Sequence, residues 1–155
     1  MANPIEIRSS DALLQQLDFK KYRYTTKRRA EQFLPDTEQP QTIDVETRWG
    51  GILTGKYGDF LVSELDGQDE QWVVEKEIFK ISYQEVEVGI YTKKATVDLV
   101  PLTDVTRDPD QLVTVYSLEG PLTVRAGGFY LARGVKGEIW PVSKEHNKNS
   151  MELAE

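Results

Sequence analysis

The sequence predicts an α+β protein, mainly β, in which two tandem hairpin-based modules pack as a pseudo-twofold β core with short flanking helices. The first observation behind this is a near-repeat. Gly51, Leu53, Thr54, Gly58, Phe60, Glu70, Trp72, Val74, Lys76 and Glu77 recur in order as Gly120, Leu122, Thr123, Gly127, Phe129, Glu138, Trp140, Val142, Lys144 and Glu145. The offset is 69 residues as far as Phe60 and Phe129 and 68 from Glu70 and Glu138 onward, so one deletion aligns the segments. Ten identities fall in about 26 aligned positions, where residue frequencies near 7% give roughly two. The second observation is period-two alternation from Ile43 onward, the signature of half-buried strands. The third is composition: 155 residues, 39% hydrophobic and 29% charged, suffice for one ordinary domain without a covalent staple.

Along the chain, Ser9 and Ser10 precede Asp11, Leu13, Leu14 and Leu17, a cap followed by helical spacing, which predicts a short helix over 11–17. Residues 1–19 form this flanking segment, 20–86 the first module and 87–150 the second, within one compact domain. Lys20 to Arg29 alternates Tyr and Thr with six basic residues and fits an edge strand as well as a helix. Pro35 and Pro40 bracket a polar loop. Strands follow at Ile43–Thr47 and Ile52–Thr54, then a glycine turn, then a hairpin of Phe60–Val62 and Trp72–Val74 turning at Asp66-Gly67. Glu75 to Tyr83 places Ile78, Phe79 and Ser82 at helical spacing.

The second module repeats the plan, with strands at Val97–Leu102 and Leu112–Val115, a loop over Thr103–Asp110, and a hairpin turning at Gly134–Gly137. Pro141 replaces Val73 and, lacking an N–H, belongs at an edge, bulge or gap. His146, Asn147 and Met151 replace Ile78, Phe79 and Tyr83, so the second closing helix is expected to be short or absent.

The run Gly58-Asp59-Phe60-Leu61-Val62, followed by Trp72 to Phe79 and Tyr83, resembles the PGDYG family of small bacterial and phage proteins. Gly134-Val135-Lys136-Gly137-Glu138-Ile139-Trp140-Pro141-Val142 is similar to that family's glycine-bounded loop leading into an aromatic-proline-valine strand. Tyr57 and Ala126 stand where the family has its proline, and Gly128 where it has its aspartate. The family has no established activity, so the resemblance implies a module size and no chemistry.

Cysteine is absent, which excludes disulfides, thiolate metal sites and a cysteine nucleophile. No apolar run is long enough for a membrane span, and Met1–Arg8 lacks a signal-peptide core, so a cytoplasmic protein without membrane contact is expected. The net charge of -7 divides into +4 over residues 1–29 and -11 beyond them. An anionic partner would therefore meet the amino end first.

Lys20, Lys21, Arg23, Lys27, Arg28 and Arg29, interleaved with Tyr22 and Tyr24, suit a nucleic-acid backbone; the competing reading pairs them with acidic groups of the same chain. Phe60, Trp72, Phe129 and Trp140 are read as core before ligand platform. Trp49, which faces Leu118 in the alignment, and the carboxylates Asp59 and Glu70 are binding candidates. Asp59, Asp66, Asp69 and Glu70 lack calcium-loop spacing, and the glycine-rich turns lack a P-loop's Gly-Lys-Ser/Thr. His146 stands without a second histidine, and no serine or threonine has a placed base. These residues assign no catalytic group, metal or cofactor. The expected function is a non-enzymatic interaction or scaffold module binding another protein or a second copy. Nucleic-acid binding through 20–29 and a carboxylate-dependent enzyme using first-module residues are the alternatives.

Overall fold

A computed structural model describes residues 3–47, 51–65, 71–147 and 150–154. Strand accounts for 51% and helix for 16%, which makes the chain a mainly β member of the α+β class. After β1 (Ile5–Ile7), Asp11–Leu17 forms a 3-10 turn, Ala12–Gln16, where the spacing predicts an α-helix. The Asp11 carboxylate accepts from the Arg8 N–H behind it, at 2.9 Å, and caps no N–H ahead. Buried Leu14 and half-buried Leu13 and Leu17 hold the turn on the core by packing.

Next come β2 (Lys20–Tyr24), β3 (Lys27–Gln32), β4 (Thr42–Glu46), β5 (Ile52–Lys56), β6 (Phe60–Glu64) and β7 (Gln71–Val74). Helix α1 (Lys76–Ser82) starts where Glu75 accepts from the N–H groups of Glu77 and Ile78, at 3.0 and 3.2 Å, and it buries Ile78, Phe79 and Ser82. The hairpin β8 (Tyr83–Glu87) and β9 (Ile90–Lys93) follows, then β10 (Val97–Pro101) and a helical turn, α2 (Thr103–Thr106), inside the expected loop. The chain ends with β11 (Leu112–Ser117), β12 (Gly120–Arg125), β13 (Phe129–Arg133), β14 (Ile139–Ser143), α3 (Lys144–Asn147) and β15 (Met151–Leu153). Helix α3 is a single turn, because Asn147 binds back to the Ser143 carbonyl and its own carbonyl takes the Ser150 N–H.

The strands form two five-stranded sheets of equivalent order, β7-β6-β3-β9-β8 and β14-β13-β10-β2-β15, with hairpins β4-β5 and β11-β12 beside them. β1 extends the second hairpin by pairing parallel with β11. The sheets do not follow the sequence boundary at 86–87. β2 lies between β10 and β15 of the later strands, and β9 lies between β3 and β8 of the earlier ones. Each half thus lends one strand to the other.

The two crossings are anchored alike. The Thr25 N–H donates to the carbonyl of Ser150, the residue before β15, at 2.8 Å; the Lys94 N–H donates to that of Ser82, the residue before β8, at 2.7 Å. Both serines are buried. Pro141 lies on β14, the end strand of its sheet, opposite Leu131, as a residue without an N–H requires.

The first sheet is covered on both faces. Phe79 and Tyr83 pack on Phe60, Val62 and Ala30 on one side of the first sheet, and Leu61 and Val73 meet Val45 and Leu53 of the β4-β5 hairpin on the other. In the second sheet Val100, Leu131 and Ile139 meet Val113, Val115 and Val124 on one face, while Val97, Leu99, Ala132 and Val142 cluster on the other with Tyr24, Trp140 and Met151 of the same sheet. The halves join where Leu122 of β12 enters the first half's cluster and the Thr54 N–H donates to the Glu119 carbonyl at 2.8 Å.

Candidate binding cavity between the halves

The exchanged strands end side by side. Tyr24 closes β2 opposite Met151, and Lys93 closes β9 opposite Tyr83, so the two residues hold corresponding places in the two sheets. Trp72 of β7 and Trp140 of β14, also corresponding, flank them. Together these residues line an open cavity of about 140 Å³ at the junction, and Arg28, Glu64, Glu75, Glu119, Glu138 and Leu118 are among the residues of its wall. A cavity of that size is close to the roughly 150 Å³ that encloses a benzene ring and well below the roughly 300 Å³ of a drug-sized site.

Two cations stand over the aromatic rings. The Lys93 ammonium lies 4.9 Å from the ring centre of Tyr24, 5.1 Å from Trp140 and 5.6 Å from Tyr83. The Arg28 guanidinium lies 5.4 Å from Tyr24 and 5.6 Å from Trp72. Such contacts contribute about 0.5–2 kcal/mol each, more as water is excluded. Arg28 is only 4% exposed and donates to the Thr26 hydroxyl, with Glu64 directly across the β3-β6 pairing. Lys93 has ring contacts and, among the described residues, no hydrogen-bond acceptor or ion-pair partner. Burial pulls its ammonium down to about 8, Glu138 working against the shift and Arg28 with it. Lys93 is half-buried and lines the cavity.

The carboxylates of the wall differ in state. Burial alone would raise the Glu75 carboxyl, but the Glu77 and Ile78 N–H groups, with Lys136 and Lys56, hold it below its ordinary range. Its ion pair with Lys136, at 3.7 Å, spans the two halves. Glu138 accepts from the Lys136 N–H at 2.9 Å. Glu119, at the tip of the β11-β12 hairpin, is pushed up to about 7 by burial and by the nearby Asp59 charge. Burial raises the Tyr24 phenol to about 12 and carries Tyr83 upward as well.

The sequence candidates fall in different places. Asp59 is 2% exposed, accepts from the Lys56 N–H at 3.0 Å and closes the turn that Gly58 makes with φ +93°; it does not line the cavity. Its second oxygen is buried without a hydrogen-bond partner among the described residues. Trp49, Glu70, Asp69 and the turn at Asp66-Gly67 lie outside the described residues, whereas Leu118, Trp49's aligned counterpart, sits at the cavity mouth, 60% exposed.

The basic stretch is split between sheets. Lys20 pairs with Asp18 at 3.4 Å, Lys21 with Asp98 at 3.4 Å and Arg23 with Glu152 at 3.9 Å. Arg29 donates to the Leu65 carbonyl at 3.4 Å, Lys27 is exposed, and Arg28 is in the cavity wall. Phe60 is core, but Trp72 and Trp140 are half-buried and line the cavity.

Lys93, Glu119 and Tyr83 are cavity residues that sequence reasoning did not select. The signal available was the Lys93-Lys94 pair, which precedes the strands of the second module as Lys27 to Arg29 precedes those of the first. No family model, curated protein or solved structure matches the chain significantly.

Proposed function

We propose that this protein is a non-catalytic binding module for another protein, built from two diverged tandem PGDYG-like modules, and that the junction cavity receives one side chain or chain end of the partner. The observation that carries this reading is the cavity itself: an open, ring-lined recess sized for one group, made by residues of both halves. The equivalent strand orders of the two sheets support the tandem origin. The enzyme alternative loses the support of Asp59, which is locked in a turn, while the split and paired basic stretch gives little support to nucleic-acid binding. Panning a random peptide library on the intact protein should return sequences whose binding is abolished by Leu118→Arg at the cavity mouth. The same sequences should tolerate Val88→Arg at the β8-β9 tip, where Val88 is 96% exposed. Binders indifferent to Leu118→Arg would contradict the proposal.

A further inference from the structure

The cavity wall holds one charge that has no hydrogen-bond acceptor or close ion pair among the described residues. Glu75 is engaged by backbone N–H groups and Lys136, Glu138 by the Lys136 N–H, and Glu64 stands opposite Arg28 in the β3-β6 pairing. Glu119 is close to half-protonated at neutral pH. Tyr24 and Tyr83 are neutral phenols there. Lys93 alone presents an ammonium to the cavity with rings beneath it and no acceptor among the described residues. A half-buried ammonium without a hydrogen-bond acceptor is poorly compensated for its lost water, and in a ligand-sized recess it is placed to take an anion.

Resting on the binding-module reading, we infer that the group entering the cavity is a carboxylate, held by the Lys93 ammonium from one side while its apolar body lies between Trp72 and Trp140. A carboxylate in that place completes the hydrogen bonding of Lys93 with a charge-assisted bond, the stronger kind of polar contact. The same chemistry is available from an acidic side chain and from a chain terminus, and the size of the recess admits one such group at a time.

Three probes separate the possibilities on the intact protein: N-acetyl-phenylalanine, with a terminal carboxylate; N-acetyl-glutamate α-amide, with a side-chain carboxylate; and N-acetyl-phenylalaninamide, a neutral isostere of the first. Binding is read from Trp fluorescence and amide NMR shifts. One carboxylate probe should bind saturably at least tenfold more tightly than the neutral amide, and which of the two does so identifies the source. Lys93→Met, which keeps the aliphatic stem over the rings, should weaken that binding at least tenfold while raising Tm by about 2–4 °C, because the desolvation of the ammonium outweighs its ring contacts. Lys93→Arg should retain most of the binding. Equal binding of acetyl-phenylalanine and its amide, unchanged in Lys93→Met, overturns the carboxylate assignment and leaves the cavity as a binding site. If none of the three probes perturbs the signals of Trp72 and Trp140, both readings fall. A Lys93→Met protein that loses stability together with binding assigns Lys93 a structural role and overturns the inference.

Discussion

At the scale of single residues, the aromatic stack and three shifted acid-base groups make the sharpest expectations. The Phe79 ring lies 3.9 Å from Phe60 and 4.6 Å from Tyr83 in stacked geometry, with Tyr91 edge-on at 4.9 Å. Phe79→Ala removes the centre of that cluster and should cost about 3–5 kcal/mol in urea denaturation. Lys93 sets a pH dependence. Its folded value near 8 lies below the ordinary 10.5, so the unfolded chain binds more protons between those limits. Stability should therefore rise with pH through that window, with the full cost of the buried ammonium present below it. Tyr24, raised from 10 to about 12, acts oppositely: the unfolded chain releases its proton first, and stability falls above pH 10. Thermal unfolding should show a gain from pH 8 to 10 that Lys93→Met abolishes. Glu119, raised from 4.5 to about 7, stabilises the fold relatively at low pH and loses that contribution as pH rises through 7. Glu119→Gln should accordingly be more stabilising at pH 8 than at pH 4.

At the scale of elements, the join between hairpins depends on a close approach of backbone. Gly120 has φ +147°, and a Cβ there would sit 2.7 Å from the carbonyl oxygen of Ile52. That neighbour is main chain and cannot turn aside, so Gly120→Ala should destabilise by more than about 2 kcal/mol. Gly137, with φ +80° and open space around it, should lose only about 1 kcal/mol as alanine. Equal effects in chemical denaturation would show that the hairpin tips are not in contact. The hairpins and α1 were legible in the sequence because their apolar positions keep one period, as in Phe60 with Val62 or Ile78 with Phe79. The β8-β9 hairpin was not. Gln84 to Glu87 are all exposed, so β8 offers no apolar face beyond Tyr83, and it is a strand because β9 pairs with it. The 3-10 turn escaped for a related reason, since the leucine spacing of 13, 14 and 17 serves one short turn as well as a helix.

At the scale of the whole molecule, the exchange of β2 and β9 is what brings the cavity residues together, and it was invisible locally. Tyr22 and Tyr24 alternate with charged residues in the same way whichever sheet receives them. Lys93 becomes unusual only when Tyr24 from β2, Tyr83 from β8 and Trp140 from β14 close around it. A consequence follows for cutting the chain at Val88. Residues 1–88 lack β9 and leave β8 without its partner; residues 89–155 lack β2 and leave β15 likewise. Neither fragment should show a cooperative thermal transition alone, and mixing them should restore one. Independent folding of either fragment would contradict the exchange.

The most direct measurement follows the Lys93 side chain itself, by the pH titration of its 13Cε resonance in the intact protein. A midpoint near 8 is expected if the ends of the exchanged strands enclose its ammonium among the rings. A midpoint at the ordinary 10.5 would place Lys93 in open water and contradict a junction cavity built around it.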